Sequence, residues 1–146
     1  MGGEENIFGK ILDEAGIGRI GKRDIREYSP LVLAYLGDAI YELFVRTMVI
    51  AGENAPVNKL HKHSTGFVKA KAQSKAIHEI LEFLTREEQE IVRRGRNAKP
   101  GTVPKNAGIM EYKYATGLEA LLGYLYLKGD YTRLMQVLRM CTGAHA

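Results

Sequence analysis

Two long runs of helix-forming apolar residues, each with an acid near its middle, limit what this chain can fold into. The first places Asp38 in Leu33-Ala34-Tyr35-Leu36-Gly37-Asp38-Ala39-Ile40-Tyr41-Glu42-Leu43, and the second places Glu119 in Ala115-Thr116-Gly117-Leu118-Glu119-Ala120-Leu121-Leu122-Gly123-Tyr124-Leu125-Tyr126-Leu127. No strand-like alternation or tight hairpin signal stands out, so the sequence reads as all-α, a helical bundle. An ionised carboxylate on a mostly buried helix requires a metal, a basic partner or a cleft to replace its lost hydration. Two such helices packed together could point Asp38 and Glu119 at one divalent cation. A plainer reading also stands: Asp38, Glu42 and Arg46 share a polar helix edge with a Glu42–Arg46 ion pair, and Glu119 faces solvent on an amphipathic helix.

Local signals set the boundaries. Residues 1–22 mix a short amphipathic stretch, Ile7 to Leu12, with glycines at 16, 18 and 21, and read as a loosely ordered N-terminal arm; residues 23–146 read as one domain. Ser29-Pro30 starts a helix, with Ser29 as cap and Pro30 at the first helical position, and the pattern stops at Gly52. This is the expected central helix. A second helix is expected from Pro56 to about Phe83, with a break near Gly66. Thr85-Arg86-Glu87-Glu88 has the form of a capping box, opening a short helix that ends by Gly95. From Gly95 to Gly108, three glycines and two prolines mark a long loop of the kind that tends to be functional. Helical periodicity resumes from Ile109 to Leu127, breaks at Lys128-Gly129-Asp130, and closes with Tyr131 to Met140.

The 146 residues suffice for one domain with a real core, and the net charge of +4 leans towards an anionic partner. The positive charge is local. Asn54 to His78 contains Lys59, Lys62, Lys69, Lys71 and Lys75 without an acid, and Ile91 to Met110 contains Arg93, Arg94, Arg96, Lys99 and Lys105 without an acid. Guanidinium groups beside a glycine in Arg94-Gly95-Arg96-Asn97-Ala98-Lys99 suit phosphates, although solvated surface charge would look the same. His61 and His63 diverge on a helix, which leaves phosphate contact by His61 or Lys62 but disfavours a joint metal site. His78, His145 and Cys141 read as structural or incidental, and Tyr112, Tyr114, Tyr124 and Tyr126 as packing or interface residues. A lone cysteine, no zinc-type spacing and no secretory signal point to a reduced, cytoplasmic setting. The run from Leu31 to Ile50 contains Asp38, Glu42 and Arg46, too many charges for a spanning helix.

Tyr35-Leu36-Gly37-Asp38-Ala39 resembles the core motif of the ribonuclease III endonuclease domain, and the segment from Glu119 to Leu127 resembles its second acidic motif, in the same order and separation. The length, Lys69-Ala70-Lys71-Ala72-Gln73 and the loop from Arg94 to Lys99 look more specifically like Mini-III, the reduced ribonuclease III without a double-stranded-RNA-binding domain. The resemblance covers about residues 24–140. Two acids of the wider family are replaced here, by Ala34 and Thr116. The resemblance implies a ribonuclease III-like bundle, a two-fold homodimer with one active site per subunit, and Mg²⁺-dependent hydrolysis of double-stranded RNA, with Mn²⁺ as a substitute. It implies Asp38 and Glu119 as catalytic residues and metal ligands, and 5′-phosphate and 3′-hydroxyl product ends. Lys59, His61, Lys62, Lys69, Lys71, Arg94, Arg96, Asn97, Lys99, Lys105 and Asn106 are the candidate RNA contacts. It further implies maturation of precursor 23S ribosomal RNA, aided by a ribosomal protein. The alternatives are a non-catalytic RNA-binding ribosome-assembly module on the same fold and a helical protein-interaction adaptor.

Overall fold

The computed structural model describes residues 7–16, 24–99, 101–102 and 108–143. Among these residues every regular element is helical: α1 Ile7–Ala15, α2 Pro30–Gly52, α3 Val57–Val68, α4 Ala70–Ile80, α5 Arg86–Asn97, α6 Ile109–Lys128 and α7 Tyr131–Thr142, with short 3₁₀ turns at Ile25–Glu27 and Leu81–Phe83.

The caps explain most boundaries. Ser29 Oγ accepts the Val32 N–H at 3.2 Å, and Pro30 opens α2 where its missing N–H costs nothing. Thr85 and Glu88 close a reciprocal capping box on α5. Glu88 is itself buried, and both its oxygens receive Arg133 of α7 at 2.8 Å, while Arg133 Nη2 also donates to the Phe83 carbonyl. Burial alone pushes the Glu88 carboxyl up, but Arg133 and the Thr85 backbone outweigh it and hold the group below its usual range. Gly129, with φ 81°, takes the left-handed conformation that ends α6, and Asp130 caps α7 through the Arg133 N–H.

Two boundaries differ from the sequence reading. The expected long helix breaks at Lys69, whose φ −64° and ψ 151° are extended, and runs unbroken through Gly66, a position with open space around it. The cause is local. Gln73 sends its side-chain Nε2 back to the Val68 carbonyl at 2.8 Å, satisfying an acceptor that the end of α3 leaves unpaired. The helix expected to end by Gly95 continues to Asn97, because Gly95 is buried between α5 and α6 rather than exposed in a phosphate-binding loop.

The centre of the bundle is α6, not the expected α2. Ala115 to Leu125 is buried on every side except at Glu119, and α6 packs against α2, α4, α5 and α7. A helix apolar all round belongs in such a position. Leu118, Leu121, Leu122 and Leu125 fill the middle with Tyr41 and Val45 of α2, Ile77 of α4 and Leu138 of α7. By contrast, α2 keeps one face outside, with Val32, Tyr35, Leu43 and Ile50 exposed.

Candidate functional site

Glycines decide where the two acids meet. A Cβ on Gly37 would collide with the Glu119 carbonyl, and one on Gly123 would collide with the Leu33 carbonyl, so α2 and α6 lie in backbone contact at two levels. A third approach joins α5 to α6, where a Cβ on Gly95 would stand 2.8 Å from Gly117 Cα. These glycines are needed for closeness and not for unusual backbone angles. Because Asp38 follows Gly37, the close crossing brings its carboxylate beside Glu119.

The two environments differ. Asp38 is exposed, as the plainer reading had it, whereas Glu119, which that reading sent to solvent, is half-buried. Burial, then the charge of Asp38 and a hydrogen bond shared with it, push the Glu119 carboxyl up to about 8, against the pull of the Gln73 amide. Gln73 is 3% exposed, and its Nε2 lies 3.4 Å from Glu119 Oε2. Gln73 Oε1 is buried without a hydrogen-bond partner among the described residues. Sequence reading passed over this residue as a contributor, since a glutamine among lysines carries no signal of burial.

The other acids and the two altered positions are accounted for. Glu42 is half-buried one turn beyond Asp38 and pairs with Arg46 at 3.5 Å. Ala34 is buried, and Thr116 is buried with its hydroxyl donating to the Tyr112 carbonyl at 3.0 Å. Among the described residues no group of three or more His, Cys, Asp or Glu could hold a metal. A cation here would rely on Asp38 and Glu119. That donor set fits Mg²⁺, which takes one or two carboxylates and keeps several waters.

The basic residues lie on α3, α4 and α5, of which α4 and α5 pack against α6. Lys59, His61 and Lys62 are exposed on α3, although Lys59 lies 3.8 Å from Glu53. Lys69 is exposed at the break and Lys71 on the first turn of α4, the helix that delivers Gln73. Arg94, Asn97 and Lys99 are exposed around the end of α5, whose Gly95 backs onto Gly117 and Ala120. Arg96 is half-buried, with its guanidinium 5.6 Å from the Tyr114 ring, which stacks on His78 at 4.1 Å. Lys105 and Asn106 lie outside the described residues, as does His145. Cys141 is half-buried, and burial pushes its thiol up to about 12, which leaves it a thiol at neutral pH.

Comparison with known proteins agrees with this arrangement. The ribonuclease III domain model matches residues 31–130, which span α2 to the start of α7. A mini-ribonuclease 3 of Thermoanaerobacter sp. is 51% identical over 119 residues, covering 82% of this chain and 84% of that protein. One from Clostridium tetani is 48% identical over 120 residues, covering 82% and 80% respectively. A crystal structure of a Fusobacterium nucleatum protein superposes with a TM-score of 0.75 at 36% identity, covering 84% of this chain and 98% of that one. With the motifs at Asp38 and Glu119 set on the same helical frame, the chain belongs to the ribonuclease III domain family, among its mini-ribonucleases 3.

Proposed function

We propose that the protein is a Mg²⁺-dependent endonuclease of double-stranded RNA, with Asp38 and Glu119 as its catalytic residues and metal ligands. Family membership makes it an endoribonuclease, a hydrolase acting on RNA. The observation that carries the finer reading is the half-buried Glu119 carboxyl held against Asp38 at a glycine-tight crossing. Two acids forced together in the absence of a cation are costly, and a divalent cation removes that cost. When bound, the ion offsets charge on the scissile phosphate and acidifies a water. The chain supplies the rest. Asp38, exposed at the rim, is open to substrate; Glu119, half-buried beside it, accepts a hydrogen bond from the Gln73 amide.

Lys62, Lys69, Lys71, Arg94, Arg96, Asn97 and Lys99 serve as contacts to backbone phosphates and 2′-hydroxyls, with Lys59, His61, Lys105 and Asn106 extending that surface. A-form RNA is read in this way, by shape more than sequence. The substrate is precursor 23S ribosomal RNA, the setting is cytoplasmic, and a ribosomal protein assists. Residues 23–146 form the catalytic unit and residues 1–22 its arm. The working form is a two-fold homodimer through the exposed face of α2, where Val32, Tyr35, Leu43 and Ile50 fall within about a quarter-turn. Tyr35, at 85% exposure, is the most exposed large side chain of that face and sits one turn before Asp38.

A duplex RNA cleavage assay with Mg²⁺ tests the reading. Wild type is expected to cut the duplex, while Asp38→Asn and Glu119→Gln bind it without cutting. Binding without cleavage by wild type, or undiminished cleavage by Asp38→Asn, would overturn the proposal.

A further inference from the structure

We propose that Gln73 is a positioning residue of the Asp38–Glu119 site, fixing the Glu119 carboxylate through Nε2 and offering Oε1 to a water of the hydrated divalent cation. This rests on the reading of Asp38 and Glu119 as the metal ligands.

The orientation of the amide is set by its two contacts. Nε2 faces two acceptors, the Val68 carbonyl at 2.8 Å and Glu119 Oε2 at 3.4 Å, which only the NH₂ end of the amide can satisfy. The oxygen attached to the same carbon is therefore the free end. It is buried and unpartnered on a side chain with 3% exposure, a state that costs free energy unless something fills it. Its place narrows what that can be. The nitrogen on the same carbon lies 3.4 Å from Glu119 Oε2, so the free acceptor is within the width of one amide group of a contact to that carboxylate.

A hydrated divalent cation is a donor of the right kind. With only two acids at hand and no third His, Cys, Asp or Glu grouped with them among the described residues, a cation there would retain several waters. Each of those waters presents hydrogens and needs acceptors, and residues that provide them tune affinity from outside the ligand set. A neutral acceptor also suits the site electrically. A third carboxylate would add to the repulsion that already weighs on Glu119, whereas an amide adds none. The same side chain ends α3 at Val68, so the break at Lys69 and the orientation of Glu119 are two results of one residue.

Metal binding measured apart from catalysis tests this. Free Mn²⁺ can be followed by electron paramagnetic resonance during titration of wild type, Asp38→Asn, Gln73→Leu and Gln73→Glu, with melting curves taken without and with Mn²⁺. Wild type is expected to bind Mn²⁺ and Asp38→Asn to lose it. Gln73→Leu should stay folded and bind about 10- to 100-fold more weakly, the usual loss for a residue that supports a metal site from behind its ligands. Gln73→Glu gives up the donor to Val68 but restores an acceptor, so it should melt lower than wild type without metal and show a larger rise on adding Mn²⁺. A purely structural Gln73 would lower both melting curves equally and leave the Mn²⁺ affinity of the folded protein unchanged, which overturns the proposal. Should Gln73→Leu not fold, the Mn²⁺-induced rise in Gln73→Glu decides alone: a rise no larger than that of wild type overturns it. The two levels separate cleanly, since Mn²⁺ binding that is insensitive to Asp38→Asn rejects the site itself, whereas binding that depends on Asp38 and ignores Gln73 rejects only the role of Gln73.

Discussion

Burial separates the two acids, and the enclosed one bears the electrostatic cost. Below pH 4.5 Glu119 is protonated in both the folded and the unfolded chain and contributes no pH dependence. Between 4.5 and about 8 the unfolded chain releases a proton that the folded chain keeps, so metal-free stability falls as pH rises through this window and levels off above it. The shift corresponds to on the order of 5 kcal/mol. Melting of metal-stripped protein from pH 4.5 to 8 should show this decline, and Glu119→Gln should flatten it and melt higher at pH 7.5; an equal slope in that variant would mean that other groups are responsible. The sequence marked both acids as unusual without telling which of the two is the more covered. Hydropathy along the chain counts apolar neighbours without saying which way a side chain faces: Ala34 and Tyr41 turn inward while Tyr35 and Asp38 turn out. Gln73 stood only as the end of the resembling stretch from Lys69 and drew no role of its own, because its contact with Glu119 joins residues 46 apart in sequence.

Between elements, close approach of backbones does what individual side chains cannot. Gly37→Ala would drive a methyl group into the Glu119 carbonyl, a clash with backbone that no rotamer change relieves. Its expected cost is about 3 kcal/mol, with cleavage lost because α2 is pushed away from α6. Gly66→Ala, in open space on α3, serves as the control and should be neutral or slightly stabilising, as alanine usually is in a helix. Chemical denaturation of both variants checks this, and an unaltered midpoint for Gly37→Ala would contradict the crossing. Helix starts were legible where a cap is a property of adjacent residues, as at Ser29-Pro30 and Thr85 to Glu88. The break at Lys69 was not, because a side chain four residues later produces it.

At the scale of the whole molecule, the basic segments of α4 and of α5 meet the same part of α6, α4 through Gln73 at Glu119 and α5 through Gly95 at Gly117 and Ala120, and α3 packs beside α4. Duplex RNA binding should therefore weaken steeply with salt, and Arg94→Ala with Lys71→Ala should reduce the slope of log affinity against log salt in fluorescence anisotropy. A salt-independent affinity would exclude phosphate recognition. Leu43→Glu, on the outer face of α2, should convert a dimer to a monomer in sedimentation equilibrium; an unchanged mass would place the interface elsewhere. No helix among the described residues is long and apolar enough to cross a membrane, as the charges at Asp38, Glu42 and Arg46 led one to expect. The sequence by itself determined the all-helical class, most helix limits and the two acidic motifs, since periodicity, caps and motif spacing are written in neighbouring residues. Only the tertiary structure decided that α6 is the centre, that Glu119 is more covered than Asp38, and that Gln73 lies against Glu119. Those outcomes follow from how closely glycine lets helices distant in sequence approach, which no local pattern specifies.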